Sequence, residues 1–406
     1  MISESSASTS LDQADLIRSI AALPAGGLIP LPQLEAILQA VTQGAIVAGA
    51  CGNGALLAAL KKRAFAVLKE HRGTGVYYRG LLEFSNLCNR NCDYCGIRAG
   101  NTGVERFTVS LDEIAEVAGW CADNGYGSVT LQSGERSDGT FLDFVEAAIR
   151  RIKAESQRPD LPEGLGITLC VGELNETALR RMRAAGVHRY LLRVETTNPA
   201  LYAAIHPHSE GGLDGRVANL RLLQKLGFQV GTGVMIGLPG QSMADLAADL
   251  HFFVNERVQM IGMGPYIMHA DTPLAQRINS GAAPALLPDR TRFELGLAMV
   301  ALARIMLPRA NIAATTALQA LHPFGRELGL DAGANILMPL VTPQHVRANY
   351  QLYDGKPCID DALDECRECL AARVASTKRE VGYNQYGDSL IPVRAAGREP
   401  AASTEA

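Results

Sequence analysis

The sequence lacks any uninterrupted apolar run near the roughly 20 residues that span a bilayer, which excludes a membrane-crossing helix. Its first ten residues, Met1 to Ser10, lack the basic start and apolar centre of a secretory leader. A surplus of positive charge is also missing: 38 Lys and Arg stand against 42 Asp and Glu, for a net charge of −4. Without a basic footprint, nucleic acid is not an expected partner, and neither is a membrane. The cysteines lack the dispersed, even-numbered arrangement of a disulfide framework. There are nine, and six crowd into two short stretches, which reads as metal ligation in a reducing compartment and places the protein in the cytoplasm. Cys51, Cys121 and Cys170 stand alone and read as buried packing residues.

What is present fits a soluble globular protein of 406 residues, 47% hydrophobic and 20% charged, with room for one large α/β barrel plus extensions or for two ordinary domains. The most informative stretch is Cys88, Cys92 and Cys95, spaced C-x3-C-x2-C directly after the apolar run Gly80–Phe84. A turn this tight points three soft thiolates at three corners of one cubane iron–sulfur cluster, and a fourth corner left open is what catalysis needs. Zinc is the alternative; it requires a fourth ligand, which would have to arrive by folding.

The chain divides by texture. Residues 1–10 read as disordered. Leu11 to Arg72 carries helical periodicity in Leu16, Ile17 and Ile20, in Leu34, Ile37 and Leu38, and again from Leu56 to Leu68. This predicts a helical N-terminal extension over 1–76. From Tyr77 short apolar runs alternate with amphipathic helices, the signature of βαβ units. The expected strands are 80–86, 127–132, 165–171, 189–193, 228–234, 260–265, 311–316 and 334–338. Ser110 to Glu113 forms a capping box, and Gly125, Gly186 and Gly227 end helices. Eight units over roughly 260 residues match a (β/α)8 TIM-type barrel, here 77–345, although a doubly wound sheet would give similar local patterns.

In a barrel, function sits where strands end. Strand two ends in Gln132-Ser133-Gly134-Glu135, where a glycine lets backbone approach a ligand, or simply turns the chain. Thr168 on strand three would face inward. Arg193 and Glu195, two apart, share a strand face and could receive a carboxylate and an ammonium, or pair with a neighbour. Arg216 opens a later helix and by default is a surface residue. Gly237 to Gln241 forms a tight turn, and His269 and Asp271 read as loop-capping groups. Thr315 and Thr316 end strand seven with hydroxyls that can hold a small anion. Met338 near the end of strand eight reads as packing. Beyond the barrel, Cys358, Cys366 and Cys369, spaced C-x7-C-x2-C, suggest a second iron–sulfur cluster in a segment 346–394, with zinc as the alternative. Residues 395–406 read as a disordered tail.

The C-x3-C-x2-C spacing with Tyr94 before the third cysteine resembles the radical S-adenosylmethionine superfamily. From Tyr78 to Cys369 the chain is similar to one family within it, the [FeFe]-hydrogenase maturases of HydE type. The carrying stretches are Leu82–Cys88, Leu131–Glu135, Tyr190–Thr196, Gly237–Gln241, Asp271–Pro273, Ala314–Ala317, Gly333–Asn335, Tyr350–Tyr353 and the later cysteines. The resemblance implies a complete barrel around an internal cavity and a [4Fe–4S] cluster on Cys88, Cys92 and Cys95. It implies S-adenosylmethionine on the open iron, contacting Ser133, Gly134, Glu135, Glu195 and Arg216. Gln132, Thr168, Arg193, Thr315, Thr316, Met338 and Tyr350 would line the substrate space. A second, peripheral cluster, [2Fe–2S] or [4Fe–4S], would sit on Cys358, Cys366 and Cys369. The implied reaction is reductive cleavage to a 5′-deoxyadenosyl radical, which attacks the sulfur of a cysteine-bound Fe(CO)2CN synthon. HydG-type and HydF-type maturases and a reduced ferredoxin or flavodoxin would be the partners. Two departures are Ser133, where the superfamily often carries Gly, and Val194, where family members carry His; on an alternating strand Val194 points away. Biotin synthase and methylornithine synthase share the barrel and remain alternatives, as does a non-catalytic iron–sulfur scaffold.

Overall fold

The computed structural model describes residues 13–47 and 54–393, without the side chains of 45–47 and Cys366. Cys51 and the two stretches expected to be disordered, 1–10 and 395–406, lie outside the described residues.

Three helices come first: α1 (Gln13–Ala21), α2 (Leu31–Val47) and α3 (Gly54–Arg72). Their apolar stripes, among them Leu16, Ile20, Leu34, Ile37, Leu56 and Leu60, are buried in the main core. α2 and α3 pack against the long helix Asp289–Met306. That helix is buried on every face from Thr291 to Met306, because the barrel covers one side and the extension the other.

The strands are β1 (Gly75–Ser85), β2 (Ser128–Ser133), β3 (Gly166–Cys170), β4 (Arg189–Leu191), β5 (Gln229–Thr232), β6 (Met235–Ile236), β7 (Met260–Ile261), β8 (Gly264–Pro265), β9 (Asn311–Ile312), β10 (Ile336–Leu337) and β11 (Glu380–Val381). The main sheet is parallel in the order β10-β1-β2-β3-β4-β5-β7-β9. A parallel bridge from Ala313 to Ile336, with Asn335 N donating to Ile312 O, joins its last strand to its first. The fold is therefore a TIM-type barrel of alternating strands and helices, and the doubly wound alternative falls. All eight expected barrel strands occur, several shorter than expected. Run 260–265 breaks into β7 and β8, run 228–234 stops at Thr232 with β6 following just beyond it, and β6 pairs with β8 in a small second sheet above the barrel. Glycines at the breaks explain this: a Cβ on Gly233 would lie 1.9 Å from the Gly262 carbonyl oxygen, so the two chains touch where the ladder is interrupted.

Helix starts follow the local chemistry. The Ser110–Glu113 capping box forms with both its bonds, and Gly186 ends its helix at φ 118°. Register sets the core: Leu82 lies beside Leu131, and Leu131 beside Leu169. On the outer face of β1, Phe84 stacks between Phe141 and Phe144 at 6.1 and 5.9 Å.

The end of the chain does something the sequence did not announce. β11 pairs with the start of β1, and residues 382–392 then cross beneath the barrel at the strands' N-terminal ends. The Gly387 carbonyl accepts from Asn311 Nδ2 at 2.8 Å and from Arg79 at 3.2 Å; Ser128 Oγ donates to Tyr386 O at 3.0 Å; Asp388 pairs with the fully buried Arg189. This floor leaves the opposite end, where the strands finish, for the site.

Candidate functional site

The loop carrying Cys88, Cys92 and Cys95 follows β1 after a register shift between Glu83 and Ser85. Backbone bonds tie it to distant elements: Asn89 N to Glu135 O at 2.9 Å, Asp93 N to Ile205 O at 2.9 Å, and Gly96 N to Leu352 O at 3.1 Å. Arg106 braces it by donating to the carbonyls of Asn86, Ile97, Arg98 and Asn101. The turn after β2 presses directly on it. A Cβ at Gly134 would stand 2.4 Å from Leu87 O and 2.7 Å from Cys88 Cβ, so the glycine serves close approach of the cysteine loop.

The three thiols are unpaired and partly accessible. Two backbone N–H groups, of Glu135 at 3.3 Å and Arg90 at 3.4 Å, donate to Cys88 Sγ, as they would to a sulfur ligand of a cluster. Burial, then the neighbouring Cys88, pushes the Cys92 thiol up to about 12, and burial with both neighbouring thiols pushes Cys95 up as well. Iron must therefore displace protons here on binding. Among the described residues, no three His, Cys, Asp or Glu side chains are gathered closely enough to share one metal ion. Thiolates on three corners of a cluster stand wider apart than ligands of one ion, so the soft donor set and its N–H support fit an iron–sulfur cluster.

Beside the loop lies a small pocket of about 30 Å³ built on paired charge. Glu135 accepts from Arg90 at 2.6 Å and Arg216 at 3.2 Å, and Arg216 also donates to Glu173 at 3.0 Å and to Arg193 O at 3.1 Å. Arg216 is thus no surface residue. Its helix begins earlier than expected, at Gly212, which puts it one turn in with a side chain 13% exposed. Burial opposes its charge, but Glu135 and Glu173 outweigh burial and raise its pKa. Such a set can hold both ends of a zwitterion. Ser133 Oγ donates to its neighbour's carbonyl, Gly134 O, at 2.7 Å, leaving backbone to do the contacting in this turn.

Above the barrel core is the larger cavity, about 220 Å³, lined by Gln132, Arg193, Glu195, Thr315, Thr316 and Met338 of the expected set, and also by Tyr94. Arg193 and Glu195 meet by another route than a shared strand face: β4 ends at Leu191, and Glu195 is left-handed at φ 64°. They pair with each other, Arg193 donating to both carboxylate oxygens at 2.8 to 3.1 Å. Val194 between them turns into the core. Thr315 precedes the short helix Thr316–Leu321 without a side-chain cap bond, its hydroxyl donating instead to Met263 O at 3.2 Å. Tyr350 sits just behind the wall, its hydroxyl accepting from Gln132 at 3.3 Å. Thr168 lies one layer lower; its hydroxyl accepts from Arg189 at 3.0 Å, and it lines a separate space of about 30 Å³ with Arg79 and Thr130.

Several groups escaped the sequence reading. Lys356 donates to both Glu83 oxygens at 2.6 Å and to Tyr350 O at 3.0 Å, with side chains 8% and 2% exposed. The pair pins segment 350–356 over the cavity, where Leu352 and Tyr353 form part of the wall. A glutamate inside the apolar run Leu81–Phe84 was the available signal. Cys170 is no plain packing residue: half-buried at the end of β3, it is pushed up to about 12 by burial, against the pull of Arg193 and Arg216. Gln241 closes its turn onto Gly237 N at 2.7 Å and Leu238 N at 3.2 Å, and Thr272 with His269 caps the helix Pro273–Asn279, so those two motifs are structural. Of the later cysteines, Cys358 is half-buried in a left-handed turn and Cys369 is exposed, with Arg373 donating to its sulfur at 3.5 Å.

The barrel, the thiol loop at the end of its first strand and the cavity above its core define a radical S-adenosylmethionine enzyme. Residues 82–253 match the radical SAM superfamily. The solved structure of methylornithine synthase (PylB) superposes with a TM-score of 0.70 at 21% identity, over 91% of this chain and 98% of that one. A biotin synthase of Trichlorobacter lovleyi is 30% identical over 64% of this chain and 73% of its own length. The [FeFe] hydrogenase maturase subunit HydE of Thermotoga maritima is 38% identical over 82% of this chain and 89% of its own. The chain belongs to the HydE family of hydrogenase maturases.

Proposed function

We propose that this protein cleaves S-adenosylmethionine reductively and turns the product on an organometallic substrate during assembly of the [FeFe]-hydrogenase diiron cofactor. The observation that carries the reading is the sequence of three adjoining spaces: a trio of thiols, a pocket of paired charges, and a cavity roofed by segment 350–356. With a [4Fe–4S] cluster on Cys88, Cys92 and Cys95 and S-adenosylmethionine on its open iron, the cofactors supply a 5′-deoxyadenosyl radical. Placement falls to the chain. The Ser133–Glu135 turn, Glu195 and Arg216 hold the methionine end. Gln132, Arg193, Thr315, Thr316, Met338 and Tyr350 shape the space for a cysteine-bound Fe(CO)2CN synthon, whose sulfur is attacked, and Thr168 acts from the layer below. The largely apolar lining, with segment 350–356 over it, limits water near a reactive carbon centre.

The synthon comes from a HydG-type partner, the product passes to a HydF-type scaffold, and reduced ferredoxin or flavodoxin supplies electrons in the cytoplasm. A second cluster, [2Fe–2S] or [4Fe–4S], sits peripherally on Cys358, Cys366 and Cys369. The chain divides into the extension 1–76, the barrel 77–345, the segment 346–394 and the tail 395–406.

A biotin synthase-like reaction would need cluster ligands inside the barrel, and neither Cys358 nor Cys369 lines the cavity. A scaffold has no use for an internal cavity edged by an Arg–Glu pair. The test is anaerobic cleavage of S-adenosylmethionine to 5′-deoxyadenosine by the reconstituted protein. Cys92→Ala should abolish it, and Cys366→Ala should lose iron from the second site yet keep it. No cleavage by wild-type protein with an intact reduced cluster refutes the reading.

A further inference from the structure

One aromatic pair links the charged pocket to the large cavity. Tyr94, between Cys92 and Cys95, lines the cavity with Arg193 and Glu195. His206 lines the charged pocket with Cys92 and Arg216. Tyr94 Oη and His206 Nε2 are 3.2 Å apart, with the rings edge to face at 5.3 Å. His206 is 7% exposed and doubly fixed: its ring stacks on Tyr202 at 4.2 Å, and its Nδ1 is 3.1 Å from the Tyr202 carbonyl oxygen. A carbonyl only accepts, so Nδ1 carries the hydrogen. A neutral imidazole then offers a lone pair at Nε2, and Tyr94 is the donor. The phenolic hydroxyl also lies within hydrogen-bond reach of Cys92, and both of its acceptors, His206 and Cys92, line the other pocket.

That commitment matters for the chemistry proposed above, on which this inference rests. A phenolic O–H bond is weaker than the C–H bond of a methyl group. Beside a primary carbon radical, a free tyrosine hydroxyl would give up its hydrogen atom: a C–H bond forms, the O–H bond breaks, and a neutral tyrosyl radical remains. No charge moves and no further reductant is needed. We propose that His206 is a positioning residue that protects the radical, by holding the Tyr94 hydroxyl hydrogen out of the cavity.

The test uses cleavage of S-adenosylmethionine by the reconstituted full chain in D2O with dithionite as reductant and no substrate. The tyrosine hydroxyl exchanges to O–D, so any transfer from Tyr94 appears as deuterium in 5′-deoxyadenosine by mass spectrometry. His206→Phe keeps a ring to stack on Tyr202 and removes the acceptor. It should raise deuterium incorporation about fivefold, the equivalent of one neutral hydrogen bond, and show a tyrosyl signal in freeze-quenched paramagnetic resonance. Adding Tyr94→Phe should abolish both effects, and His206→Gln, which restores an acceptor, should return incorporation toward wild type. Equal incorporation in wild type and folded His206→Phe overturns the proposal and leaves the cleavage reading standing; a wild type that does not cleave overturns both. A readout independent of cofactors is ultraviolet resonance Raman of the cluster-free protein, taken as the difference from Tyr94→Phe. Tyr94 should read as a hydrogen-bond donor; a phenol that does not donate refutes the proposal even if His206→Phe fails to fold.

Discussion

Replacing Gly134 by Ala should disable the cysteine loop without unfolding the barrel. The new Cβ would lie 2.4 Å from Leu87 O, 2.7 Å from Cys88 Cβ and 2.8 Å from Leu87 C, where ordinary contact begins near 3.4 Å. The deficits are 3.4 − 2.4 = 1.0 Å and 3.4 − 2.7 = 0.7 Å, and all three atoms are backbone or Cβ, which no rotamer can move. The loop must retreat by about 1 Å, stretching the bonds from Glu135 N to Cys88 Sγ at 3.3 Å and from Asn89 N to Glu135 O at 2.9 Å. Overpacking of this size costs about 1–3 kcal/mol, and a reacting group displaced by about 1 Å loses about 10²-fold in rate. The assay is iron per chain and visible absorbance after anaerobic reconstitution, followed by the rate of 5′-deoxyadenosine formation, with the melting temperature as the check on folding. Gly139→Ala, whose Cβ meets nothing within 4 Å, is the control and should behave as wild type. A Gly134→Ala protein with full iron and wild-type cleavage would refute the view that this contact sets the position of Cys88.

Glu83→Gln or Lys356→Met alone should cost about 3–5 kcal/mol by stranding a buried charge, read as a fall of about 4–6 °C in Tm, and the double substitution should recover most of it. Asp249, which accepts from Thr197 N at 2.8 Å and Thr197 Oγ1 at 2.6 Å, is raised from 3.8 to about 7 by burial, against those two bonds. A raised carboxyl contributes stability that is whole below pH 3.8 and is lost as pH climbs to about 7, at most (7 − 3.8) × 1.36, or about 4 kcal/mol. Urea unfolding of wild type should weaken from pH 5 to 7.5, and Asp249→Asn should flatten that slope; parallel slopes would refute it. Deleting residues from 382 onward removes the floor, leaving Arg189 without Asp388 and Arg79 without the Gly387 carbonyl, and should lower Tm; an unchanged Tm would mean the floor bears no load.

Much of the site was legible because it is local. Three thiols within eight residues share one turn whatever surrounds them, and the capping box at Ser110, the glycine stops and the apolar runs settle elements from a few neighbouring side chains. Arg193 and Glu195 do meet, but not across a shared strand face, since strand alternation ends at Leu191 and a left-handed Glu195 brings the two side chains together. Arg216 read as a surface residue because a lone arginine on a helix carries no sign of the two carboxylates that face it from other loops.

What the sequence by itself determined is the kind of chemistry: soft ligands in a fixed spacing and a repeating strand–helix alternation. What only the tertiary structure decided is who meets whom. Glu83 and Lys356 are 273 residues apart and Tyr94 and His206 are 112 apart, and the chain's end closes the barrel from below. Local pattern encodes which face of an element is apolar, but the partner of a buried charge or hydroxyl depends on register and on closure of the ring. Those are settled by packing the whole barrel at once, where each buried polar group must find its bond or cost the fold its stability.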